Sequence, residues 1–255
     1  MNMSKLWMRR YFATCVAICM MASLSGCPIA GTRIYVVSVR NISNQPLGPI
    51  AAATHPGTTS FWRLGEGATP GVQRVGELGD PSLLITEMND NTSVTNVVGT
   101  GIPFPSAGRI VPRFGPFADG GSDLVDTQVF TILAAPGDVL SLASMIIGTN
   151  DGFWGVDSVE LPETNSIVYY ASGYDAGTED NDELDENIDD GASILGPAVI
   201  PGDEPDDAVA GDNGGVATDP MGVITNHPGI VGNGDIPADF DWNELIAVVT
   251  ITATP

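Results

Sequence analysis

The chain has 255 residues, 43% of them hydrophobic, with 32 Asp or Glu against 9 Lys or Arg and a formal net charge of −23. The apolar share is enough to bury a core, which excludes a chain disordered throughout, and the length fits one large domain. The charge excludes a nucleic-acid backbone as partner, because such a surface repels phosphate, and points instead to cations or cationic groups.

The chain opens as an export segment. Lys5, Arg9 and Arg10 precede an apolar, uncharged stretch over residues 11–24. That run is shorter than the roughly 20 residues a bilayer-crossing helix needs. It ends in the small residues Ser25 and Gly26 before Cys27, the pattern of a cleaved signal. Leu24-Ser25-Gly26-Cys27 resembles the bacterial lipobox. The resemblance implies that residues 1–27 are a lipoprotein signal ending at its modified cysteine, with acyl chains on Cys27 holding the protein on a membrane rather than in it. Pro28 supplies no inner-membrane retention aspartate, so the outer membrane or cell surface is the expected location. Cys15 and Cys19 lie inside the signal, which leaves Cys27 alone and permits no internal disulfide.

Residues 28–255 read as a single domain. Residues 34–42 are β-branched and aromatic and predict a strand; residues 125–134, 139–147, 166–171 and 245–254 have the same character. Between residues 72 and 88 two short helical segments are joined through Asp80-Pro81. No helix alternates with the strands, so an all-β, antiparallel sandwich is expected rather than a parallel α/β sheet. Residues 180–213 are acidic, rich in Gly and Pro and poor in aromatics, which predicts a long mobile acidic loop. Arg113 is the last basic residue, so the acids beyond it must be held apart by water or neutralised by bound cations.

Catalytic patterns are absent from the sequence. His55 and His227 each precede a Pro-Gly pair, which favours turns, and no Gly-x-Ser-x-Gly, His-Glu-x-x-His or phosphate-loop pattern occurs. No catalytic residue is assigned, and the chain is read as a binding protein rather than an enzyme. Two other readings stay open: an exported hydrolase of polysaccharides or esters using carboxylate or His chemistry, and a structural envelope component with no metal role.

The most specific constellation is acidic. Asp151 closes the strand predicted over residues 139–147, and Asp175 and Glu179 follow the next strand-like run, so loops at one end of a sandwich could bring all three to one ion. Gly177 permits the tight turn between them. Such oxygen ligands suit calcium, whereas zinc or copper would favour the scarce His and Cys. The competing reading is solvated acids at loop ends. Residues 179–186 lack the glycine and spacing of an EF-hand loop and read as a solvated acidic face. Trp62, Trp154 and Trp242 read as core rather than as a sugar-stacking platform.

Several pieces in order carry a family resemblance: Gln45-Pro46-Leu47, His55, Gly65-Glu66-Gly67-Ala68, Gly76-Glu77-Leu78-Gly79-Asp80, Thr149-Asn150-Asp151-Gly152-Phe153, Tyr174-Asp175-Ala176-Gly177-Thr178-Glu179, and His227-Pro228-Gly229-Ile230 leading to Asp241-Trp242. Over residues 32–254 the chain resembles the spondin N-terminal domain. The resemblance implies a C2-like β-sandwich, with calcium ligands carried onto Asp151, Asp175 and Glu179. Unlike animal members, the chain has no domain cysteines and no attached thrombospondin repeats. The expected function is a calcium-binding module for cell-surface adhesion or ligand binding, its partner a polysaccharide, an anionic lipid or an envelope protein met through calcium.

Overall fold

The computed structural model describes residues 31–101, 126–184, 188, 222–234, 236, 238–242 and 244–255. Residues 1–30, which include the predicted signal and Cys27, and residues 185–213 of the predicted acidic loop apart from Ile188, lie outside the described residues.

Among the described residues the chain forms nine strands and two short α-helices. The strands are β1 (Arg33–Asn41), β2 (Ala51–Pro56), β3 (Asn96–Gly99), β4 (Thr127–Ala134), β5 (Asp138–Met145), β6 (Gly152–Glu160), β7 (Ser166–Asp175), β8 (Thr225–Asn226) and β9 (Leu245–Ala253). The helices α1 (Pro70–Leu78) and α2 (Ser82–Asp90) lie between β2 and β3. Every strand pairing is antiparallel, in the order β3-β2-β5-β6-β7-β9-β1-β4, with β8 added to β7. The sheet rolls on itself until its ends meet. There Asn96 on β3 accepts from the Leu133 N–H at 3.0 Å, and the Thr54 hydroxyl on β2 donates to the Leu133 carbonyl. The result is the expected all-β architecture, a nearly closed sandwich.

Alternation within the strands builds the core. Val37 and Val39 of β1, Val249 and Ile251 of β9, and Leu140 and Leu142 of β5 are buried around Trp154. A second cluster lies on the outer side of β2, β5 and β6, where Val72, Val75, Leu84 and Met88 of the helices pack on Ala51, Ala53, Ala143 and Phe153. The alanines let the helices come close. Thr69 caps α1, accepting from the Val72 N–H at 3.2 Å, and donates to Glu87 of α2 at 2.6 Å, which ties the two helices together. Trp62, Trp154 and Trp242 are all buried, as core residues should be.

Strands β2, β3, β6 and β8 go beyond the sequence prediction. Strand β2 reads AAATHP, and alanine and proline carry little β propensity; its strandedness comes from pairing with β5 and from the helices above it. Strand β6 contains two glycines, and at Gly155 a Cβ would lie 2.3 Å from the Leu142 carbonyl. His55, expected in a turn, is instead a fully buried residue of β2 opposite Val139. Among the described residues no helix is long and apolar enough to cross a membrane.

Candidate functional site

Strand register brings the two predicted aspartates together. Gly152, the first residue of β6, pairs with Asp175, the last of β7, and the Ala176 N–H reaches the Asp151 carbonyl at 3.3 Å. Asp151 and Asp175 therefore sit side by side at the sandwich end where β5 leaves and β6 enters. Asp151 is fully buried. Its Oδ2 accepts from the Thr178 N–H at 2.6 Å, the Thr178 hydroxyl at 3.2 Å and the Glu179 N–H at 3.1 Å. Its Oδ1 is buried without a hydrogen-bond partner. Asp175 closes its own turn, accepting from the Gly177 N–H at 2.6 Å, and also accepts from the Asn181 side chain.

Glycines permit this crowding. Gly177 has φ +70°, and a Cβ there would lie 2.4 Å from the Val223 carbonyl. At Gly76 of α1 a Cβ would lie 2.5 Å from the Asp151 carbonyl, so the helix rests directly on the backbone of the site.

Electrostatics follow from burial. Desolvation, and then the neighbouring charge of Asp175, raise the Asp151 carboxyl to about 7, against the opposing pull of the Thr178 and Glu179 donors. No arginine contributes to that balance. The one ion pair among the described residues is Arg74 with Asp80, elsewhere on the surface.

Residues 180–184 were expected to be solvated, but they are built into the site. Asn150 donates to Asp182 at 3.0 Å and accepts from the Glu183 N–H at 3.3 Å. Glu183 is buried, and its carboxylate accepts from the N–H groups of Val231, Gly232 and Asn233 at 2.5, 2.8 and 3.1 Å. It thereby holds the loop after β8 on the site. The sequence shows only a run of acids there, and nothing in it distinguishes the one that folds inward. Glu179 meets Asp151 through its backbone N–H, and its side chain is half-buried.

His227 completes the same end. It follows β8 in a loop, as Pro228 suggested, and its ring stacks obliquely on Trp242 with centroids 5.0 Å apart. Nδ1 accepts from the Gly229 N–H at 3.1 Å, so the neutral ring carries its proton on Nε2, which is buried and unpartnered. Burial lowers His227 to about 4, although Asp175, Glu183 and Asp241 pull upward. Beside the ring lies a cavity of about 500 Å³ lined by Gly173, Asn226, Asp241, Trp242 and Glu244. The site thus offers one buried orphan acceptor, Asp151 Oδ1, and one buried orphan donor, His227 Nε2.

His55 heads a separate polar chain. Its Nε2 lies 2.8 Å from Ser141 Oγ, which donates to Asp157 at 2.9 Å and accepts from the Ser158 N–H at 2.8 Å. Ser141 is fully buried, so this chain bridges β2, β5 and β6 rather than presenting a nucleophile.

For a cation, the donor set at Asp151 is partial. Among the described residues no group of three or more His, Cys, Asp or Glu side chains is placed to hold a metal. Two adjacent carboxylates, one with a free buried oxygen and neither with a cationic neighbour, are nevertheless the chemistry that a hard cation satisfies; carbonyls and water can supply its remaining oxygens. Zinc fits poorly, since Nε2 of His227 bears a proton in the arrangement seen. No family model matches the chain, and no curated protein matches it.

Proposed function

We propose that the protein is an exported, lipid-anchored, calcium-binding module of the spondin type that binds a surface ligand. The observation that carries this reading is the buried Asp151 Oδ1 without a partner, set beside Asp175. An ionised carboxylate in that position has lost its water and gained a like-charged neighbour, and a divalent cation offsets both costs. Asp151 and Asp175 would hold calcium, with Glu179 close enough along the chain to join them. Its charge would bind the β5–β6 turn to the loop after β7. The adjoining cavity beside His227 and Trp242 would then be held in shape for a polysaccharide, an anionic headgroup or an envelope protein. Calorimetric titration of residues 28–255 with calcium tests the metal reading: saturable heat near one site, abolished by Asp175→Asn, is expected. Absence of saturable heat, together with an unfolding midpoint that calcium leaves unchanged, overturns it.

A further inference from the structure

The rolled sheet has two unlike ends. At one, α1 rests on the Asp151 backbone; the other is an open mouth holding a cavity of about 700 Å³. Mouths of rolled sheets are common ligand sites. Arg33 and Tyr35 enter this one from the face of β1 that carries Val37 and Val39 into the core, and Asp138 from the face of β5 that carries Leu140 and Leu142. Glu160 and Glu163 border it from the end of β6 and the turn that follows. The Arg33 guanidinium donates to the Glu163 carbonyl, joining two rims that lie 130 residues apart in the chain. It forms no ion pair with the three carboxylates around the same cavity; among the described residues only Arg74 and Asp80 are so joined. Asp138 is 9% exposed, and its Oδ2 accepts from the Ala135 N–H at 2.8 Å, which fixes the carboxylate in place.

We infer that this mouth binds phosphoethanolamine, a phosphate joined to a primary ammonium, as presented by a phosphatidylethanolamine headgroup. A guanidinium and several carboxylates held apart in one cavity are answered by a ligand that carries both signs. A simple anion would meet three carboxylates, and a simple cation would meet the arginine. In the zwitterion the phosphate takes the guanidinium N–H groups that the Glu163 carbonyl leaves free, a pairing that arginine favours. The ammonium donates to Asp138 and Glu160, which a trimethylammonium, having no N–H, does not. Net charge agrees, since a headgroup of no net charge escapes the repulsion that a chain at −23 exerts on anionic lipid. The source of the ligand rests on the lipid-anchor reading. Gly31, at the mouth, is four residues from Cys27, at most about 14 Å of extended chain. Acyl chains on Cys27 would therefore set the mouth against the headgroups. The chemistry of the site does not rest on that reading, and none of its residues belongs to the Asp151 site.

Calorimetric titration of residues 28–255, which hold every described element, with phosphoethanolamine in chelator tests the chemistry. Flotation of the same chain with vesicles tests the source. Saturable heat is expected with phosphoethanolamine, and binding at least about tenfold weaker with phosphocholine, which lacks the ammonium N–H groups, or with glycine, which lacks the phosphate. Arg33→Gln and Asp138→Asn should each weaken binding at least about tenfold. Arg40→Gln removes an exposed arginine at the far end of β1 and should leave it unchanged. Vesicles of phosphatidylethanolamine and phosphatidylcholine should carry the chain upward, phosphatidylcholine alone should not, and free phosphoethanolamine should release it. Heat without flotation supports the site and overturns the lipid as its source. No saturable heat, equal binding of glycine or phosphocholine, or indifference to both substitutions overturns the inference. The intact mass of the full chain reads Cys27 acylation separately, so a missing anchor does not imitate an empty site.

Discussion

Replacing Asp151 with Asn separates the charge at the site from its shape. In the folded chain the carboxyl titrates near 7, against an ordinary 3.8. The folded form therefore binds this proton more tightly than the unfolded form. The group's stabilising contribution is full below about pH 4 and is lost as pH rises through about 7. At about 1.36 kcal/mol per tenfold change in proton affinity, the difference between 3.8 and about 7 is worth about 4 kcal/mol at pH 8. Asn keeps an acceptor for the Thr178 and Glu179 donors but weakens those bonds, a loss of about 1–2 kcal/mol. In chelator at pH 8, Asp151→Asn should therefore be more stable than the native chain by about 2 kcal/mol. In calcium the order should narrow or reverse, since a ligand at a hundred times its Kd stabilises only the native chain, by about 2.7 kcal/mol. Urea unfolding at pH 5 and pH 8, with chelator and with calcium, measures all four values. An Asn variant less stable than the native chain at pH 8 in chelator would refute the argument that a buried, uncompensated charge resides at Asp151.

His227 carries the opposite sign. Its folded value near 4 lies below the ordinary 6.5, so its contribution is present above about pH 6.5 and is lost as pH falls toward 4. Nitrogen chemical shifts should show a neutral Nε2–H tautomer at pH 6, and a titration midpoint at or above 6.5 would count against the burial described. Gly76→Ala should lift α1 from the Asp151 carbonyl and destabilise the fold by about 1–3 kcal/mol in thermal unfolding, while Gln73→Ala, exposed on the same helix, should cost under about 0.5 kcal/mol. Glu183→Ala leaves three N–H groups without their acceptor, and residues 231–233 should then become the first site of limited proteolysis at a stability loss of about 2–3 kcal/mol. Unchanged cleavage there would mean that the loop is held by other contacts.

Much of the architecture is legible in the sequence, because the long strands carry their own pattern. The β-branched runs of β1, β4 and β9 alternate between core and surface, so side-chain chemistry alone assigns them, while β5 reads as a nearly continuous apolar run because helices cover its outer side. The two short helical segments between residues 72 and 88 are legible through Asp80-Pro81, which separates them. Strands β2 and β6 carry no such mark, for their alanines and glycines were chosen by what presses on them: helices in one case, the neighbouring backbone and Trp62 in the other. The site divides along the same line. Acid type, loop position and the Gly177 turn single out Asp151, Asp175 and Glu179 before any fold is known. That Asp151 and Asp175 stand adjacent depends on the β6–β7 register, and that Glu183 turns inward to hold the loop after β8 depends on three N–H groups some fifty residues away in the chain. Local sequence determined which segments extend and which residues could bind a cation. Long-range pairing and close packing decided which carboxylates lose their water, because desolvation is a property of the assembled surroundings and not of the residue.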